Sequence, residues 1–75
     1  MGIMAEAIQL YLRFAFRDLK LNRIQAGVFP FNIRSQKLLE KLGFSYEGCL
    51  RKNKKIHNRW RDLYIYSMLR EEYKS

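Results

Sequence analysis

Asn32-Ile33-Arg34-Ser35-Gln36-Lys37-Leu38-Leu39-Glu40-Lys41-Leu42-Gly43-Phe44 reads as a short helix with both of its ends written into the sequence. Asn32 is a residue type that caps helix N-termini, because its side-chain oxygen can accept from a backbone N–H that the first turn leaves without a partner. Leu38, Leu39 and Leu42 form an apolar stripe, and Gly43 suits the left-handed position at which a helix stops. The pattern predicts a helix over 33–42.

Working outward, Ile24, Ala26 and Val28 alternate with Arg23, Gln25, Gly27 and Phe29 up to Pro30, the period-two signature of a strand. Upstream, Met4, Ala7, Ile8, Tyr11, Phe14, Ala15 and Leu19 recur at three- and four-residue steps, which places them on one helical face, and Leu10, Leu12 and Phe16 widen it. So wide an apolar face implies burial on more than one side. Arg17, Lys20 and Arg23 complement the negative pole at the end of that helix, and Asn22 tolerates a left-handed stop, so the helix is expected to end near Leu21. Downstream, 44–56 and 60–69 read as strands joined by a His57-Asn58-Arg59 turn in which Asn58 takes positive φ. The order is helix, strand, helix, strand, strand: an α+β chain ending in an antiparallel hairpin.

With 75 residues the chain forms one domain at most, 1–75, near the size at which a single core only just outweighs the conformational entropy of folding. Its 48% hydrophobic content marks a globular chain, not a disordered one. No apolar run is long enough to span a membrane and no export signal is visible, so nothing in the sequence given suggests export or membrane spanning. Cys49 is the sole cysteine, so the fold has no internal disulfide and a reducing cytoplasm is the expected compartment. Without a second Cys or a paired His, Cys49 suggests packing and not a metal site or a nucleophile. The formal charge of +8 favours polyanions: nucleic acid, phosphate-rich cofactors or acidic peptides.

Five motifs fall in one order: Gly2-Ile3-Met4-Ala5-Glu6-Ala7, Leu21-Asn22-Arg23-Ile24, Asn32-Ile33-Arg34-Ser35, Glu40-Lys41-Leu42-Gly43-Phe44 and Glu47-Gly48. Together with the closing stretch Arg61-Asp62-Leu63-Tyr64-Ile65-Tyr66-Ser67-Met68-Leu69, they resemble the C-terminal half of the ribosomal-protein N-terminal acetyltransferase branch of the GNAT (GCN5-related N-acetyltransferase) family. The resemblance implies a partial GNAT fold, acetyl-CoA as co-substrate and an amine acceptor such as a protein N-terminus. It further implies that a glycine-containing loop and helix start, here Gly2, Ile3 and Met4, hold the CoA pyrophosphate by ordinary anion binding at a helix N-terminus. Met4 stands where the family has Gly or Ala, and no Arg or Gln precedes Met1, so CoA affinity is expected to be weak. A plain helix start is the alternative reading.

By the same resemblance Asn32 orients the pantetheine arm and Ser35 donates a hydroxyl proton toward the CoA sulfur, the catalytic contribution expected of this chain. The plainer reading is that Asn32 is a cap and Ser35 a solvent-facing residue of the first turn, and the two readings are compatible. No carboxylate lies between Glu47 and Asp62, so a general base is not evident. His57 has a suitable reference pKa but reads first as an exposed turn residue. Asp62 is expected to be structural, and Tyr46, Trp60, Tyr64 and Tyr66 are expected to pack on the sheet.

Arg51, Lys52, Lys54, Lys55, Arg59 and Arg61 gather six cations on the hairpin, with Trp60 and Tyr64 nearby. Interleaved cations and rings suit RNA or a ribosomal surface. A solvated hairpin protected by charge from edge pairing, or a border that attracts acidic peptides, fits them too. The second half of a family domain would leave its first helix and first strand partly uncovered. The sequence therefore reads as a piece with little or no activity alone that self-associates as a homo-oligomer through exposed core. The competing function is a small basic RNA- or ribosome-binding module on the same scaffold.

Overall fold

The computed structural model of the protein describes residues 3–73, with side chains from residue 5 onward. Helix α1 (Ile3–Arg13) runs into one widened turn of π-helix, Phe14–Asp18, in which Leu19 N–H reaches Phe14 O at 3.0 Å. The helical segment therefore stops at Asp18, short of the expected Leu21. Lys20 (φ 54°), and not Asn22, takes the left-handed position. After a wide π turn the chain reverses quickly, and Leu21 N–H bonding Ala15 O at 3.0 Å closes the end.

Three strands follow in the order β1 (Arg23–Val28), β2 (Ser45–Ile56) and β3 (Arg59–Leu69), with helix α2 (Ile33–Lys41) between the first two. In space β3 is central and pairs antiparallel with both neighbours, giving a β1-β3-β2 sheet. Registers Ile24↔Met68, Ala26↔Tyr66 and Val28↔Tyr64 set the strands' apolar positions on one face. Both helices pack there: Leu12, Ala15 and Phe16 meet Ile24, Val28, Leu39, Phe44, Tyr66 and Met68 in one core. Phe16 also stacks on Tyr73, centroids 5.2 Å apart, so the C-terminal turn seals the end of the core.

That packing selects a narrower stripe of α1 than its apolar content suggests. Ala5, Leu12, Ala15 and Phe16 are buried, whereas Leu10, Tyr11, Phe14 and Leu19 are exposed. The reason is geometric: a single sheet face can cover only one side of a helix. The opposite sheet face carries Leu50, Leu63 and Ile65, and Leu63 lies against Gly27, where an added Cβ would meet Leu63 Cδ2 at 2.8 Å.

The hairpin turn is tighter than expected. His57 (φ 52°) and Asn58 (φ 62°) are both left-handed, the form of a two-residue type I′ connection, and Arg59 already belongs to β3. Pairing shifts twice, between Tyr46 and Gly48 and between Leu50 and Lys54. At the second shift Lys52 turns left-handed (φ 49°) and its N–H donates to Asp62 Oδ1 at 2.9 Å, which gives Asp62 the structural role expected of it. Cys49 and Trp60 depart from the expectation of packing: both are exposed, because neither helix extends over that part of the hairpin. No helix among the described residues is long and apolar enough to cross a membrane.

Candidate functional site

The β1–α2 connection is built by a chain of local bonds. Pro30 favours the second position of a β-turn, and the turn Phe29–Asn32 is closed by Asn32 N–H to Phe29 O at 2.9 Å. Gln36, one helical turn beyond Asn32, donates its Nε2 to Pro30 O at 2.8 Å and ties the turn to α2. Asn32 then caps the helix, its Oδ1 accepting from Ser35 N–H at 3.2 Å. At the other end Gly43 (φ 103°) donates to Glu40 O at 3.1 Å and Phe44 N–H donates to Leu39 O at 2.9 Å. This paired closure of a helix C-terminus is locked by two core side chains, Leu39 and Phe44.

Asn32 and Ser35 open on a groove of about 220 Å³ between α1, β1 and α2, whose walls include Ile8, Val28, Phe29 and Leu38. The groove is apolar apart from the Asn32 and Ser35 side chains. Pockets that enclose a drug-sized ligand are roughly 300–1,000 Å³, so this one suits a thin chain of atoms better than a whole nucleotide. Capping engages Asn32 Oδ1 and leaves Nδ2 free to donate, and among the described residues no hydrogen bond engages Ser35 Oγ. Two polar groups therefore face an apolar slot. Helix α2 has no acidic residue in its first turn, so its positive N-terminal pole beside Ser35 is not neutralised.

Of the other sequence-predicted site residues, Gly2 lies outside the described residues, as do the side chains of Ile3 and Met4. The backbone of Ile3 and Met4 begins α1, one turn before Ile8 on the groove wall. His57 occupies the exposed hairpin turn and does not line the groove. No carboxylate or imidazole lines it either. A larger cleft of about 790 Å³ lies between α1 and the C-terminal end of α2, walled by Arg13, Lys41, Met68 and Glu72. It contains none of the site candidates, and its charges of both signs give it no evident chemistry. Sequence reasoning missed Gln36 and Ile8; only the Asn32–Gln36 helical step hinted that Gln36 could reach back to the turn.

Nearby, the Tyr66 phenol is buried and donates to Glu40 Oε2 at 3.4 Å. Burial first, and the Glu40 carboxylate second, hold its pKa above the ordinary 10.0. Tyr46 lies edge-on to both Tyr64 and Tyr66, with centroids 5.4 and 5.5 Å away. This trio supports the sheet on which α2 rests.

A family profile described as Acetyltransferase (GNAT) domain matches residues 1–45 of the chain. The Probable N-acetyltransferase YjcK of Bacillus subtilis (strain 168) is 50% identical over 68 residues, covering 91% of this chain and 38% of that protein. The crystal structure of ribosomal-protein-S5-alanine acetyltransferase from Vibrio fischeri superposes with a TM-score of 0.89 at 34% identity, covering 99% of this chain and 40% of that one. The crystal structure of mutant forms of the spermidine/spermine N-acetyltransferase SpeG from Vibrio cholerae superposes with a TM-score of 0.92 at 29% identity, covering 96% of this chain and 43% of that one. The chain spans about two fifths of the length of these proteins.

Proposed function

This chain belongs to the GNAT acetyltransferase family, and on that premise we propose that it holds the pantetheine arm and thioester of acetyl-CoA for transfer of the acetyl group to an amine. Its α+β arrangement is part of the GNAT fold. The observation that carries the proposal is the pairing of Asn32 and Ser35 at the mouth of an apolar groove. Asn32 Nδ2 donates to a carbonyl of the arm while Oδ1 keeps the cap. Ser35 Oγ–H donates to the sulfur as the amine forms its C–N bond and the C–S bond breaks, so negative charge leaving on sulfur meets a donor and a positive helix pole, while the proton lost by the amine nitrogen passes to solvent water. The backbone at Gly2, Ile3 and Met4 takes the pyrophosphate at the start of α1.

The acceptor is an amine, and a protein N-terminus is the class we favour, in line with the ribosomal-protein acetyltransferase among the relatives. The polyamine acetyltransferase that superposes equally well makes clear why the scaffold alone does not choose the acceptor. With no base lining the groove, the 75-residue chain by itself is proposed to turn over slowly or not at all, and with Met4 where the family has Gly or Ala it is proposed to bind CoA weakly. Thermal melts of the chain with increasing acetyl-CoA test the reading. A ligand at ten times its Kd stabilises by about 1.4 kcal/mol, and Asn32→Ala should require roughly tenfold more ligand for the same shift, the worth of one hydrogen bond. A melt unmoved by millimolar acetyl-CoA would sink it.

The exposed row Leu10, Tyr11 and Phe14 on α1, together with the outer edge of β1, which has no partner among the described residues, further leads us to propose that two copies associate through this side. Sedimentation should give a mass above the 9.1 kDa monomer. A monomeric mass at micromolar concentration would exclude it.

A further inference from the structure

The outer half of the β2–β3 hairpin is not explained by acetyl transfer. Between Arg51 and Arg61 stand six cations and no acid. Arg51, Lys52, Lys54, Lys55 and Arg59 are exposed and Arg61 is half-buried. Among the described residues the one ion pair is Arg23–Glu47, so none of the six is neutralised. The nearest carboxylate, Asp62, accepts from Lys52 N–H and is occupied in holding the bend of the ribbon.

Two exposed aromatic rings stand among these charges. Trp60 is 56% exposed, opposite Lys55 in the register, and Lys55 Nζ sits 5.9 Å from its ring. Phe31 is 65% exposed and stacks on Phe29 at 5.4 Å with planes 4° apart, while Arg61 Cζ lies 5.7 Å from its ring. Each exposed ring is thus already paired with a cation. Charge alone would suffice to keep a ribbon soluble and to repel edge pairing. That purpose is opposed, not served, by an exposed indole and phenyl. An acidic peptide would use the cations and leave the rings idle, and a duplex keeps its bases stacked inside. Unpaired bases splayed from a phosphodiester chain use both, the phosphates on Lys and Arg and the bases on the rings.

We propose that the tip of the β2–β3 hairpin, with Phe31 beside it, binds single-stranded RNA that passes across the ribbon: Arg51, Lys54, Lys55 and Arg59 contact phosphates, Trp60 stacks on a base at one face, and the Phe31–Arg61 pair stacks on a base at the other. Through Phe31, which stacks on the groove-wall residue Phe29, the site adjoins the Asn32–Ser35 groove, but it does not depend on the acetyl-transfer reading. RNA is the form in which a cell presents exposed, unpaired bases in quantity, which distinguishes it from duplex DNA with the same backbone charge.

Trp60 is the only tryptophan of the chain, so its emission reports stacking directly. The test titrates the whole chain with a labelled, unstructured oligouridylate of about twelve nucleotides, with a duplex DNA and poly-glutamate as separate arms. RNA binding should quench Trp60 emission and follow salt with a log–log slope of about −2 to −4, from roughly 0.7 per phosphate contacted. Trp60→Ala should weaken RNA binding about five- to hundredfold with little change of slope, and Trp60→Phe, which keeps a ring and serves as the folding control, should recover most of the loss. Replacing Arg51, Lys54 and Lys55 together by Gln should flatten the slope by about 2. Poly-glutamate binding as tightly as RNA, duplex DNA binding more tightly than RNA, or Trp60→Ala binding RNA like the unaltered chain would each overturn the proposal. So would the absence of any RNA binding at about 50 mM salt.

Discussion

The two ends of the sheet's helix-bearing face are held by different physics. From Phe29 to Phe44 every change of direction is fixed by short-range bonds: a proline turn, the Gln36 tie, the Asn32 cap and the Gly43 closure. That frame is anchored in the core through Leu39 and Phe44. From Arg51 to Arg61 the chain has a strand ladder, one Asp62 bond and no buried side chain. The first region can position atoms for chemistry, because its turns are held by hydrogen bonds and its helix is anchored by the packing of Leu39 and Phe44. The second can present charge and rings to a partner of variable shape, and little else constrains it.

If that contrast is right, the largest difference should come from core truncation. Phe44→Ala should cost about 3–5 kcal/mol, against a total stability of roughly 4–11 kcal/mol for a domain of this length, and urea melts should show the midpoint lowered by a large fraction of its value. Leu50→Ala, at a half-exposed position outside the core cluster, should cost about 1 kcal/mol or less. Equal losses at the two positions would end the comparison.

Left-handed positions give the next test. Gly43→Ala should lose about 1–2 kcal/mol, since φ of 103° is strained for any residue with a Cβ and the new atom would also press on Met68 Cε at 3.3 Å. His57→Gly, at φ 52°, relieves the same strain in the hairpin and should be neutral to slightly stabilising in the same melts, because added chain entropy offsets the relief. Asn32→Ala should cost about 1 kcal/mol through the lost cap, whereas Lys54→Gln should stay within about 0.5 kcal/mol. A Lys54 effect as large as the cap's would mean that the hairpin is structurally engaged in a way its exposure does not suggest.

The smallest effect is at high pH. The folded-state pKa of Tyr66 is raised, so the neutral phenol is favoured by folding. Its contribution is whole below the unfolded value near pH 10 and is lost as pH climbs through the raised folded value. The Tyr46 phenol is raised too, by burial first and by Cys49 and Tyr64 after it, so tyrosinate absorbance should show two phenols titrating late, and Tyr66→Phe should remove one of them while flattening the alkaline fall in stability. An unchanged profile in the variant would assign the late phase elsewhere.

Most of the element order was legible in the sequence, and so was the Asn32–Ser35 pair, for one reason: caps, stops and tight turns depend on backbone groups a few residues away. Asn32, Gly43 and Asn58 each carry the side chain, or the lack of one, that the local geometry demands. The reading went astray where the signal was degenerate. An asparagine in the right place suggested the stop that Lys20 provides, and ten apolar positions on the first helix allowed several faces to be the buried one. Trp60 and Cys49 sat in a strand pattern that says which residues alternate but not how far the covering layer reaches.

By itself, then, the sequence determined the order of helices and strands and which motif stands at the start of α2. Only the tertiary structure decided that β3 lies between β1 and β2, that Leu12, Ala15 and Phe16 face inward while Tyr11 and Phe14 do not, and that Ile8 completes the groove over Asn32 and Ser35. Those choices depend on burying area between segments far apart in the chain, and no local pattern encodes which of several apolar surfaces meets which.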